Sequence, residues 1–254
     1  MQLVVRVERH RPPTESEVCA TAARAVVALL SDPRSQPGGE WADAVARWRS
    51  GRIRKVVRRA RAHAWERAHD IAGVTVTDLA TSTDLDSPAA IDRADRGAIA
   101  DRNAIAKADS ATVAAVEQDG VRCEVRAFVP GPTDAVPIEV SRLQIRGLDL
   151  TDPDRLASVD ADAVAPALVV ALAPLESFST GKKAAAAGHA AQLASEAMTE
   201  GRVRQWADAG WPVVCIQPGA ASWDRLCEVA PVVVADAGFT EVAPGTVTSV
   251  ALWS

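Results

Sequence analysis

The chain has 254 residues, 48% of them hydrophobic, and a formal net charge of -5. That length allows one large domain or two small ones, and the apolar content is ample for a packed core, which excludes global disorder. The acidic balance excludes an indiscriminate nucleic-acid binder, and no apolar run approaches the ~18 residues of a membrane span.

The opening run Leu3–Val5 meets Arg6 too early for a signal peptide. Cys19, Cys123, Cys215 and Cys227 are scattered without metal-ligand spacing, so they read as buried thiols in a reducing compartment. The expectation is a cytoplasmic, soluble protein with neither metal nor cofactor.

Leu3–Val7 predicts a strand. Thr14-Glu15-Ser16-Glu17 is a capping box before Val18, Ala22, Val26 and Leu29 at helical spacing. Trp48-Arg49-Ser50-Gly51 then precedes a strand at Val56-Val57. From Arg47 to Arg67 the chain carries nine Lys/Arg and one Glu, a positive patch on an acidic protein. Residues 77–120, rich in Asp, Ala, Ser and Thr and without an aromatic, predict an exposed insertion with a helix near 89–106. An Asp/Pro-containing stretch at 149–163 predicts a linker.

The order then repeats. Leu168–Leu172 predicts a strand, and Ser179 or Thr180 caps a helix through Ala184, Ala187 and Ala191. Trp206 to Gly210 precede a strand at Val213-Val214. "AWERAHDIAGVTV" (Ala64 to Val76) matches "SWDRLCEVAPVVV" (Ser222 to Val234), with Trp65 on Trp223 and Arg67 on Arg225. The chain closes with "DAGFTEVAPGTVTSVAL", a polar loop and a last strand. "PGPTDAVPIEV" lines up with it as Gly131 on Gly238, Thr133 on Thr240, Pro137 on Pro244 and Val140 on Val247. Val129 then stands where Asp236 would be, and 77–120 has no counterpart. Strands alternating with helices make the fold class α/β, with a mixed sheet in each of two halves, 1–148 and 164–254.

Gly181-Lys182-Lys183-Ala184-Ala185-Ala186-Ala187-Gly188-His189-Ala190 resembles the first-helix motif of the peptidyl-tRNA hydrolase type 2 family. "DAGFTEVAPGTVTSVAL" resembles that family's signature loop and last strand more closely. The resemblance covers Ala165 to Leu252, and the first half resembles the family faintly. It implies a four-stranded mixed sheet with helices in each half. The family's homodimer implies two tandem small domains arranged as a pseudo-dimer, in a chain that is itself a monomer. It implies hydrolysis of the ester joining peptide to tRNA, with peptidyl-tRNA as the partner. The family's lysine falls on Lys182, its aspartate on Asp236 and its threonine on Thr240. A glutamine expected one helical turn after the lysine is Ala186 here. The corresponding first-half positions read Glu17, Val129 and Thr133.

The residues carry that chemistry on their own terms. Lys182 lies in the first turn of a helix, where unpaired N–H groups and the dipole favour an anion or a developing oxyanion. Asp236 has the chemistry to orient or deprotonate water, Gly238 lets the backbone turn beside it, and Thr240 offers a hydroxyl. The plain alternative is a surface lysine and an Asx or ST turn. His189 shares the stripe of Lys182 and Ala186, either as a catalytic imidazole or as a packing residue. Arg52, Arg54, Lys55, Arg58, Arg59 and Arg61 form either a solvated strand face or a tRNA phosphate patch beside Trp48 and Trp65. Two rival readings share this fold: an RNA-binding pseudoenzyme with weak or no turnover, and a hydrolase of another acyl ester.

Overall fold

The computed structural model describes residues 1–8, 12–51, 53–79, 121–151, 167–175, 178–236 and 241–253. The helix expected near 89–106, most of the 149–163 linker, and Arg52, Gly238 and Thr240 lie outside the described residues. The first half runs β1 (Gln2–Arg6), α1 (Glu15–Ser31), α2 (Ala42–Ser50), β2 (Val56–Ala60), α3 (Ala62–His69), β3 (Gly73–Leu79), β4 (Val121–Phe128) and a short α4 (Ile138–Ser141). The second runs β5 (Leu168–Leu172), α5 (Thr180–Ala197), α6 (Glu200–Asp208), β6 (Val213–Ile216), α7 (Ala220–Val229), β7 (Val232–Ala235) and β8 (Val247–Trp253).

Each half forms a four-stranded mixed sheet, in the orders β2-β1-β4-β3 and β6-β5-β8-β7. In each, the first two strands pair in parallel and the remaining ladders are antiparallel. The duplicated α/β plan is therefore real. Trp48 Nε1 donates to the Arg54 carbonyl and Trp206 Nε1 to the Pro212 carbonyl, the same bond at the same spacing in both halves.

Local chemistry sets the helix starts. Thr14 caps α1 in a full capping box with Glu17, and Ser179 caps α5 by accepting from the Lys182 N–H. Glu17 and Lys182 thus occupy the same third helical position. Leu3 and Val5 of β1, Val18, Val26 and Leu29 of α1, Ala184 to Ala194 of α5, and Leu168 and Val170 of β5 belong to one apolar cluster. Burying a side chain such as Leu29, which is fully enclosed, stabilises by about 2 kcal/mol. The two halves share one core, because α1 packs along α5, touches β6, and leaves α5 to touch β2.

The small residues of α5 serve this contact. They let the helix pack on its own sheet and approach α1 closely as well. A Cβ built on Gly188 would meet Val26 Cγ2 at 2.9 Å and the Ala22 carbonyl oxygen at 3.8 Å.

The topology corrects one sequence alignment. Residues 129–137 follow β4, the last strand of the first sheet, whereas 236–246 precede β8. Val129 and Thr133 are therefore not the counterparts of Asp236 and Thr240, and Ile138–Ser141 is helical rather than a strand. The connection equivalent to 236–246 is the one between β3 and β4, so the insertion does have a counterpart. Asp78 stands as far beyond Trp65 as Asp236 stands beyond Trp223. Both halves carry the carboxylate. The error arose because Gly, Pro and Thr recur in any polar turn, while strand pairing is not written in their spacing.

The 129–148 segment is instead a strap over the outer face of the first sheet. Val140 and Phe128 close on Val4, Ala60, Trp65 and Ala68 in a second apolar cluster. The second half has no described equivalent: α7 buries none of its residues, and Val229 is 68% exposed.

If the α1–α5 approach holds the halves together, Gly188→Leu should cost about 2 kcal/mol through overpacking. Urea unfolding should show the loss, and Val26→Ala in the same chain should recover part of it. Unfolding of the leucine variant at the wild-type midpoint would contradict the interface as drawn.

Candidate active site

The N-terminus of α5 and the neck of the loop after β7 form the candidate site. The ladder between β7 and β8 shifts register between Val234 and Ala235. Beyond that irregularity the Asp236 N–H donates to the Thr246 carbonyl, and Gly245 donates back to the Asp236 carbonyl, both at 2.8 Å. Gly245 adopts φ +81°, a left-handed conformation that suits glycine. These bonds close the neck and present the Asp236 side chain to α5, where Lys182 Nζ donates to Asp236 Oδ2. The two side chains are 17% and 16% exposed. The pair is thus screened from bulk water yet still reachable.

A second carboxylate pins the same loop. Glu241 accepts from the Ser179 N–H at 3.0 Å and from the Ser179 hydroxyl at 2.7 Å. In the first half this task falls to Glu17, which accepts from the Thr14 N–H at 2.7 Å from within its own helix. In the second half the capping carboxylate comes from the loop, so the third helical position is open to a lysine. Glu241 was missed in the sequence because a capping box is sought three residues into the helix, not beyond the next two strands.

Lys183 does not join the site. Its ammonium donates to Glu15 Oε1 at 2.6 Å, and Thr180 Oγ1 donates to Glu15 Oε2 at 2.7 Å, tying the first turns of α1 and α5 together. Ala186 is 6% exposed, and its carbonyl accepts from Ser249 Oγ at 3.1 Å. A buried alanine thus stands where the resemblance expects a glutamine.

His189 is partly buried further along α5. Burial, then the positive charge of Lys55, pull its pKa down to about 4, while the negative charge of Asp236 opposes the shift. The imidazole is therefore neutral near pH 7, and it is a poor general base there. The first-half residue seven beyond Glu17, as His189 is seven beyond Lys182, is Arg24. Its guanidinium pairs with Asp78 at 3.0 Å.

The basic run divides into residues with different roles. Lys55 is partly buried between the halves. Its Nζ donates to Gln192 Oε1 at 2.7 Å and lies 4.8 Å from the centre of the Trp48 ring. Desolvation lowers its pKa to about 7. It holds the interface rather than facing outward with the arginines. Arg58 donates to the Ser141 and Leu143 carbonyls and Arg59 to the Arg146 carbonyl, so both fasten the strap. Arg54 and Arg61 are exposed.

Among the described residues no cluster of His, Cys, Asp and Glu could hold a metal ion, and no helix is long and apolar enough to cross a membrane. Cys19, Cys123 and Cys215 are buried. Comparison with protein-family models, with curated proteins and with solved structures gives no match.

His189 makes stability depend on acid. Its folded pKa lies below the ordinary value of 6.5, so the unfolded chain binds the extra proton first. Stability present above pH 6.5 should fall as the pH drops towards about 4, and His189→Gln should flatten that part of the profile. Thermal unfolding across pH 4 to 7 measures it, and equal slopes in both proteins would contradict the assignment.

Proposed function

We propose that this chain hydrolyses the ester between peptide and tRNA, acting in the cytoplasm as a monomer that contains its own pseudo-dimer. The observation that carries the reading is the Lys182–Asp236 pair at a helix N-terminus. A base and a cation stand together there, at the positive end of the helix dipole. In the proposed reaction a water attacks the ester carbonyl carbon and gives its proton to the Asp236 carboxylate. Negative charge builds on the carbonyl oxygen, where the Lys182 ammonium and the positive end of the α5 dipole stabilise it. Collapse breaks the bond to the ribose oxygen, which leaves with the proton and frees the tRNA. Thr240 follows Asp236 four residues on in the sequence and is assigned to the water or the carbonyl through the family resemblance.

The rival is an RNA-binding protein of the same fold without turnover. The buried Ala186 favours it, since a polar group that the resemblance expects is absent.

Labelled peptidyl-tRNA decides between them. The wild-type chain should release peptide, and Asp236→Asn and Lys182→Ala should each lower kcat by ~10²-fold or more. Wild-type rates in both variants would remove these residues from the chemistry, and no turnover by the wild type would select the rival. Glu241→Ala should lower kcat more than it raises KM, because it unpins the loop without removing either group. Glu241→Gln should recover part of the loss, since its amide oxygen still accepts the Ser179 N–H.

A further inference from the structure

The first half carries a cleft of about 330 Å³, lined by Arg47 and Trp48 of α2, by Arg54 ahead of β2, and by Pro130 to Thr133 beyond β4. Among the described residues lining it none is acidic. Arg47 and Arg54 are exposed, while Trp48 is 9% exposed and forms part of an apolar wall. The volume falls at the lower end of small-molecule sites, about 300–1,000 Å³.

The second half shows that the fold does not need these cations. The residues at the same spacing around Trp206 are Gln205 in place of Arg47 and Pro212 in place of Arg54. The Trp indole still bonds to the equivalent carbonyl, so the scaffold is unchanged. Trp211 packs edge-on against Trp206 with 4.9 Å between ring centres, and Trp206 is 2% exposed. The guanidinium groups that line the cleft are therefore absent from the matching positions of the other half.

We infer that this cleft binds a nucleotide through its phosphate. Arg47 and Arg54 clamp the phosphate oxygens with charge-assisted hydrogen bonds, and the base lies against Trp48 and the two prolines. Lys55 Nζ lies 4.8 Å from the centre of the same Trp48 ring. The inference rests on the RNA-directed reading above and deepens it: the cleft seats one nucleotide of the RNA away from the scissile ester.

Titration calorimetry with the full chain tests this, using AMP, adenosine, inorganic phosphate and a 5′-phosphorylated trinucleotide. AMP or the trinucleotide should bind, and adenosine and phosphate alone should bind at least 10-fold more weakly, in keeping with a two-part site. Arg54→Ala and Arg47→Gln, the latter being the residue of the other half, should each weaken binding by about 10-fold. Arg142→Ala on the strap should not. Binding of the trinucleotide without AMP would support a site for a strand rather than a free nucleotide. No binding of either at millimolar concentration, affinities unchanged by the cleft variants, or phosphate binding as tightly as AMP would overturn the assignment. Peptide release without nucleotide binding would sink this inference and leave the proposed hydrolysis standing. Arginine-dependent binding without peptide release would do the reverse.

Discussion

The close approach of α1 to α5 is the constraint on which the molecule depends. Each sheet turns one face towards this helix pair, and neither helix alone closes that face into the shared cluster. An α5 built largely of alanine and glycine is needed for this, because a Cβ at Gly188 would already press on Val26. Apolar packing has no direction of its own, so the polar ties at the ends of the helices fix the register. Glu15 reaches Thr180 and Lys183 at the N-terminal end, and Lys55 reaches Gln192 further along. Those ties also explain why charges that look free in the sequence are committed inside the fold.

Much of the architecture was legible in one dimension because it depends on local rules. The capping residues Thr14 and Ser179, the paired Trp48 and Trp206, and the strands after them follow from spacing and propensity alone. The equivalence of Glu17 and Lys182 was legible for the same reason, since both are counted from a cap. The partner of a strand is not encoded locally. The loop beyond β4 was therefore mistaken for the one ahead of β8, and Asp78 was passed over in favour of Val129. The basic run shows the same limit. Its charges are plain in the sequence, but only the tertiary structure shows Arg58 and Arg59 holding the carbonyls of the strap and Lys55 lying between the halves.

Within the candidate site, the pair Lys182 and Asp236 was legible and its support was not. Glu241 lies far from Ser179 in sequence and satisfies that residue's N–H and hydroxyl together. A helix start requires its exposed N–H groups to be met. The fold meets that requirement in one half from inside the helix and in the other from the loop.

That difference separates the chemistry of the two helix starts. A carboxylate at the third helical position satisfies the cap but places negative charge where the proposed reaction would form its oxyanion. The first half has this arrangement, and the carboxylate of Asp78, near the end of β3, pairs with Arg24, two turns beyond Glu17. In the second half the capping carboxylate comes from the loop. The third position then accepts a lysine against the helix dipole, and Asp236 offsets its charge from the loop. Glu241 thus does two things at once: it caps α5, and it holds the loop that carries Asp236 at the distance the ion pair requires. Loss of either carboxylate would leave a lysine in the first turn with less to hold it there.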